Sequence, residues 1–152
     1  MLFKDDTRPA LMMPTARVFT ESLPLGGVVE WLENAQIVLY KPPHSGQDVL
    51  AELFARAEQI VMAWPANQPH LTILDLSGDK IRYTPYLRDH GRQLGEMRPE
   101  LQMATALLAP RTFMAQILDM TVRIASRSKR PLTMQFSREA AVLWLKKVGG
   151  IR

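Results

Sequence analysis

Residues 70–84 read H-L-T-I-L-D-L-S-G-D-K-I-R-Y-T, and this stretch decides the fold. Leu71, Ile73, Leu74 and Leu76 form an almost continuous apolar run of strand length, bounded by Pro69 before it and Ser77-Gly78 after it. Continuous rather than alternating apolar character predicts a strand in a sheet covered on both faces. Beyond the loop, Thr84 offers a side-chain oxygen to the first N–H groups of a helix, and Pro85 fits the first helical position, where no backbone donor is needed. The spacing predicts a helix from Pro85 to about Met97. Gly91 and Gly95 lie inside it, each costing roughly 1 kcal/mol relative to alanine.

Upstream, Arg17 to Ser22, Val28 to Leu32 and Ile37 to Tyr40 read as short strands, with residues 23–27 and Glu33-Asn34 as turns. Ser45-Gly46-Gln47-Asp48 has the spacing of a capping box, and Val49, Leu50, Leu53, Phe54, Ala57, Ile60 and Val61 then repeat at helical intervals up to Trp64. Downstream, Gln102 to Ala109 is a further apolar strand. Pro110 follows, then a helix carrying Phe113, Met114, Ile117, Leu118, Thr121, Ile124 and Ala125. Pro131 breaks that helix, Leu132 to Phe136 forms a last strand, and Ser137 caps a final helix with Ala141, Trp144, Leu145 and Val148 on its apolar face and Gly149-Gly150 at its end. The order β-β-β-α-β-α-β-α-β-α predicts one α/β domain over residues 16–150. Its mixed sheet opens with antiparallel strands and continues through parallel β-α units with right-handed crossovers, the helices packing on the sheet. Residues 1–15 are expected to be a loose tail.

The 152-residue chain is long enough to bury a substantial core without metal or disulfide support. It contains no cysteine, which excludes disulfides, thiol nucleophiles and cysteine-bound metals and suits a cytoplasmic protein. The N-terminal M-L-F-K-D-D-T-R-P places acidic residues where a signal peptide needs an apolar core, and no apolar run reaches transmembrane length. Net charge is +4 but unevenly spread: residues 111–152 carry nine Lys/Arg against Asp119 and Glu139, giving +7, and residues 1–110 carry ten against thirteen, giving −3. The densest basic piece, Arg123, Arg127, Lys129 and Arg130, reads as a solvated helix end and loop. An anionic partner or nucleic acid is its alternative. No aromatic residue lies between Arg123 and Arg130, which argues against single-stranded nucleic acid.

The order of elements, the strand and loop Ile73-Leu74-Asp75-Leu76-Ser77-Gly78, and the closing Phe136-Ser137-Arg138-Glu139-Ala140-Ala141-Val142-Leu143-Trp144-Leu145 together resemble the STAS-like domains, the fold of bacterial anti-sigma-factor antagonists. Within these, the chain is most similar to the bacterial group described as STAS/SEC14-like, over roughly Val28 to Val148. The resemblance implies a non-enzymatic regulatory domain that binds a protein partner, and in its best-known members a switch by phosphorylation of a serine at the start of the helix after this strand. Here that position is Pro85, which has no hydroxyl, and Tyr86 follows where the family has a small residue. Thr84, one position earlier, is the candidate hydroxyl for phosphorylation, since a phosphate there would sit at a helix N-terminus, and a helix-capping role is sufficient to explain it without modification.

In a sheet with parallel strands, ligands gather at the loops after the strands' C-terminal ends. Those loops supply Lys41, His44 and Ser45; Asp79, Arg82 and Thr84; and Arg111 and Thr112, an edge with cations and helix N-termini that would suit a carboxylate or phosphate. Ordinary caps and solvated loop charges are the competing explanation. His44, His70 and His90 stand apart without the spacing of a helical zinc pair, so no metal is expected. Asp75 reads as a loop-bonding aspartate rather than an acid or base. The chain has no G-x-S-x-G elbow, P-loop or G-x-G-x-x-G, so neither a catalytic set nor a cofactor is expected. Nine methionines, Met114, Met120 and Met134 among them, read first as core filler, with an apolar-ligand pocket as the alternative. The reading is therefore a protein-binding module, with a homodimer compatible, and a carrier of a small apolar or anionic ligand is the main alternative.

Overall fold

A computed structural model of the chain describes residues 19–113 and 130–151. Its strands are β1 (Phe19–Ser22), β2 (Val28–Leu32), β3 (Ile37–Lys41), β4 (His70–Asp75), β5 (Met103–Leu108) and β6 (Leu132–Gln135). Its helices are α1 (Gln47–Ala63), α2 (Pro85–Gly95) and α3 (Arg138–Gly149), with a 3-10 turn at Arg111–Phe113. The six strands form one sheet in sequential order, β1-β2-β3-β4-β5-β6. The β1–β2 and β2–β3 pairs are antiparallel and the remaining three are parallel, so the chain is an α/β domain with an antiparallel entry. The tail through residue 15 and most of the helix expected over Phe113–Ala125 lie outside the described residues.

Local chemistry accounts for the boundaries. The β1–β2 turn closes through Leu23 N–H to Gly27 O and Gly26 N–H to Leu23 O, and Gly26 takes a φ of 101°, open to glycine because it lacks Cβ. At the β2–β3 turn three successive non-glycine residues, Glu33, Asn34 and Ala35, have φ of 52°, 57° and 66°. Lys146 of α3 holds Glu33 by an ion pair of 2.9 Å. Every apolar position anticipated for α1 is buried, and the helix ends at Ala63 with extended Trp64 as its C-cap before Pro65. Its capping box does not form. The helix starts at Gln47 with Gly46 as N-cap, which leaves Ser45 outside capping range, and the Ser45 hydroxyl accepts from Arg82 N–H of the next loop instead, at 3.0 Å. Thr84 does cap α2, accepting from Leu87 N–H at 3.2 Å with Pro85 in the first turn, but the helix stops at Gly95, two residues short of Met97. Ser137 caps α3 through Ala140 N–H, and Gly150 ends it in the left-handed conformation.

The two faces of the sheet are covered differently. Leu32, Ile37, Leu39, Leu71, Ile73, Ala104, Ala106 and Leu108 project to one face and meet Ala141 and Leu145 of α3 in a closed apolar layer. Gly149 allows α3 to approach β4 closely, since a Cβ there would lie 2.6 Å from Leu71 Cδ1. The opposite face carries Trp31, Val38, Tyr40, His70, Thr72, Leu74, Met103, Thr105 and Leu107, on which α1 packs through Leu53, Ala57, Ile60 and Val61. Of the α2 residues only Leu87 is buried. That helix leans on α1 through His90, whose ring lies 5.9 Å from Phe54 and 3.9 Å from Tyr86.

Candidate functional site

Between α1, α2 and this second face lies a cavity of about 620 Å³. Its floor is the sheet: Tyr40 from β3, His70, Thr72 and Leu74 from β4, Met103, Thr105 and Leu107 from β5, and Leu132 from β6. One wall is α1, with Leu53, Phe54, Ala57 and Val61, and the other is α2, with Leu87, Gly91, Leu94 and Gly95. Exposed Arg88, Arg92, Glu96 and Pro99 on the lining show that the cavity reaches the surface along α2. Leu74 and Thr105 are only partly buried although they sit mid-strand on the covered face of the two central strands. The two helical glycines that weaken α2 lie four residues apart on the cavity side, and a Cβ added at either meets no atom within 4 Å. Both therefore enlarge the space rather than allow a close approach.

Polar groups on this floor set the chemistry. His70 is wholly buried and Tyr40 is 3 % exposed, and neither imidazole nitrogen nor the phenolic oxygen has a hydrogen-bond partner among the described residues. The His70 ring packs on Trp64 with centroids 4.4 Å apart, and Trp64 stacks on Trp31. Thr72 and Thr105, side by side on β4 and β5, share a hydroxyl–hydroxyl bond of 3.0 Å. Burial, reinforced by the charges of Arg130 and Arg98, pushes the His70 pKa down to about 3, so the imidazole is neutral at neutral pH. Burial likewise pushes the Tyr40 hydroxyl far above its ordinary range. A buried polar atom without a partner carries a desolvation cost that a bound group can relieve.

The nearby cations serve other ends. Arg98 Nη1 donates to Val61 O at 3.0 Å and Trp64 O at 2.6 Å, closing the C-terminus of α1. Arg130 Nη1 donates to Gly95 O and Met97 O, both at 2.7 Å, and Nη2 to Leu101 O at 3.0 Å and to Arg98 O, closing the C-terminus of α2. The expectation that Arg130 belongs to a solvated helix end is thus overturned: it is partly buried and its guanidinium spans the carbonyls of another helix and the following loop. Arg123, Arg127 and Lys129 lie outside the described residues. At the mouth, Asp89 pairs with Arg88 at 3.0 Å and Arg92 at 4.0 Å, and the hydrogen bond from Arg88 holds its carboxyl below the usual range.

The residues anticipated at the sheet edge have separate placements. Lys41 ends β3, and Ser45 joins Arg82 across the first two loops. His44 Nδ1 accepts from Gly46 N–H, Asp79 is exposed, and Thr84 is spent on its cap. Arg111 lies 4.2 Å over the Phe136 ring, and Thr112 is exposed in the 3-10 turn. Asp75 bonds Ser77 N–H at 2.9 Å, as a loop-bonding aspartate does. None of these residues lines the cavity. Tyr40 and His70 were not among the anticipated site residues. The signal for them is the alternation in H-L-T-I-L, which puts His70 and Thr72 on one face of a strand whose other face is Leu71 and Ile73.

Among the described residues no cluster of three or more potential metal ligands occurs, and no helix is long and apolar enough to cross a membrane. Comparison of the chain with models of known protein families, with curated proteins and with solved structures finds no match.

Proposed function

We propose that this chain is a non-enzymatic binding module of STAS-like type that holds a small molecule in the chamber between α1, α2 and the sheet. The observation that carries this reading is the pair of buried, unpartnered groups, Tyr40 and His70, on the floor of a cavity of about 620 Å³. Functional pockets combine this size with a mostly apolar lining and a few convergent polar groups. The sequential strand order supports the STAS-like part, and the absence of a carboxylate bonded to His70 among the described residues supports a role other than general base catalysis. A cytoplasmic location accords with the cysteine-free composition.

Native mass spectrometry of freshly purified protein and of a Gly91→Leu/Gly95→Leu variant, each also incubated with the neutral dye Nile red, tests the reading. Wild type is expected to carry a retained molecule or take up dye, and the filled variant neither. Equal behaviour of the two proteins counts against the chamber. A second reading, a protein partner or second copy at the sheet edge, is favoured by the exposed Arg111–Phe136 pair. Sedimentation of Arg111→Ala/Phe136→Ser tests it for the homodimer: a dimer that survives both changes sinks it.

A further inference from the structure

We infer, resting on the binding reading above, that α2 is the gate of the chamber and Arg130 its latch. A molecule enters when the C-terminal half of α2 lifts from the sheet, and the Arg130 guanidinium holds that half shut.

Although the cavity meets the surface along α2, its deep lining is closed. Tyr40, Leu53, Leu87 and Leu107 line it, yet each is no more than 3 % exposed, so a wall has to move before anything larger than water touches them. Of the two helical walls, α1 buries seven residues and α2 buries only Leu87. An element with few buried contacts opens at a lower free energy than its neighbours. Leu87 lies in the first turn, and that end of α2 is pinned by the Thr84 cap and by the bond from Arg82 N–H to the Ser45 hydroxyl in the loop before it. Further along, Gly91 and Gly95 bring no side chain to the sheet, and Leu94 is only partly buried. The C-terminal end is held from outside the helix instead. Arg130 Nη1 donates to Gly95 O and Met97 O at 2.7 Å each, and Nη2 to Leu101 O at 3.0 Å and to Arg98 O. Bonds from a charged donor to carbonyls at a helix C-terminus are stronger than neutral ones. The base of the latch is fixed, because Pro131 O, next in the chain, accepts from Thr105 N–H at 3.1 Å. Between α2 and β5, Arg98 takes a φ of 49°, left-handed for a residue with a side chain, and its carbonyl is one of those Arg130 holds. Release of Arg130 therefore frees both the helix end and the strained turn after it, which gives that end slack to lift.

Amide hydrogen exchange and stopped-flow binding of Nile red, on the full chain and on Arg130→Lys and Arg130→Met, test the gate. In wild type the amides of residues 91–96 are expected to exchange roughly tenfold or more faster than those of residues 53–57 in α1. Arg130→Met, which keeps the apolar stem and removes the donors, is expected to speed both exchange at residues 91–96 and dye association about tenfold, with Arg130→Lys in between and α1 and α3 exchange unchanged. Exchange that speeds alike in all three helices would make Arg130 a general stabiliser, and faster dye dissociation with unchanged association would make it a ligand contact. Either result overturns the inference while the chamber stands. So does equal exchange of α1 and α2 in wild type, a measurement that needs no variant to fold. If wild type binds no dye, or Gly91→Leu/Gly95→Leu binds it equally, the chamber reading falls and the inference with it.

Discussion

On one face of the sheet a Cβ added at Gly149 of α3 would lie 2.6 Å from Leu71, whereas on the other a Cβ at Gly91 or Gly95 of α2 would meet no atom within 4 Å. The same residue type in a covering helix has opposite consequences because the strands beneath present opposite surfaces. Below α3 they project only leucine, isoleucine and alanine, which interdigitate and exclude space. Below α1 and α2 every second residue of β4 is polar or half-exposed, and the helix above stands off. One face therefore stores stability, and the other gives some up for a cavity.

The largest expected difference is between neighbours on β4. Ile73 is fully buried against α3, so Ile73→Ala is expected to cost about 3–4 kcal/mol, transfer plus cavity terms included. Leu74 faces the existing chamber and is already partly exposed, so Leu74→Ala should cost under about 2 kcal/mol. Urea unfolding of both variants decides the matter, and equal losses would mean that the two faces are packed alike.

A second difference appears with pH. His70 takes a proton near its ordinary value when unfolded but is held down to about 3 when folded, chiefly by burial and further by Arg130 and Arg98. Between those values the unfolded chain binds more protons, so the stability contribution is complete above the ordinary histidine value and falls as pH drops. The loss is expected to be about 2–3 kcal/mol between pH ~6 and ~4, relative to a His70→Leu variant measured in parallel. Parallel profiles would show that His70 is protonated or solvated in the fold, removing the neutral floor.

The glycines themselves come next. Gly149→Ala is expected to lose about 2 kcal/mol, because Leu71 or α3 must move. Gly91→Ala should gain up to about 1 kcal/mol, since alanine is the better helix former and there is room for its methyl. Thermal unfolding reads both, and a loss at Gly91 would show that α2 closes on the sheet in solution.

Much of this architecture was legible in the sequence because its signals are local. The seven apolar positions of α1 at helical spacing, the Thr84-Pro85 start of α2 and the Ser137 cap each depend on residues within a turn or two, and all three are found. The capping box at Ser45 failed because its hydroxyl has a competing donor 37 residues away, which no local pattern contains. Arg130 misled for the same reason: its carbonyl partners lie 29 to 35 residues earlier in the chain. The chamber was hidden more deeply. H-L-T-I-L announces a buried strand, but whether His70 and Thr72 point at a helix or at a space depends on how far α2 stands from the sheet. The two glycines that mark this space read in sequence only as helix weakness.

The smallest effect is the most specific to this asymmetry. Tyr40→Phe deletes a hydroxyl that is buried without a partner and keeps the ring that packs against α1, so it is expected to raise stability by about 1 kcal/mol. Thr72→Val on the same floor deletes a hydroxyl already paired with Thr105, and should lower stability by about 1 kcal/mol. Opposite signs for two hydroxyl deletions on one floor would show that the Tyr40 hydroxyl lacks a partner where the Thr72 hydroxyl has one. A Tyr40→Phe midpoint that stays level or falls would mean that solvent in the chamber already bonds the phenol. The two faces would then differ in shape alone, and any bound group reaching Tyr40 would gain only what it takes over from water.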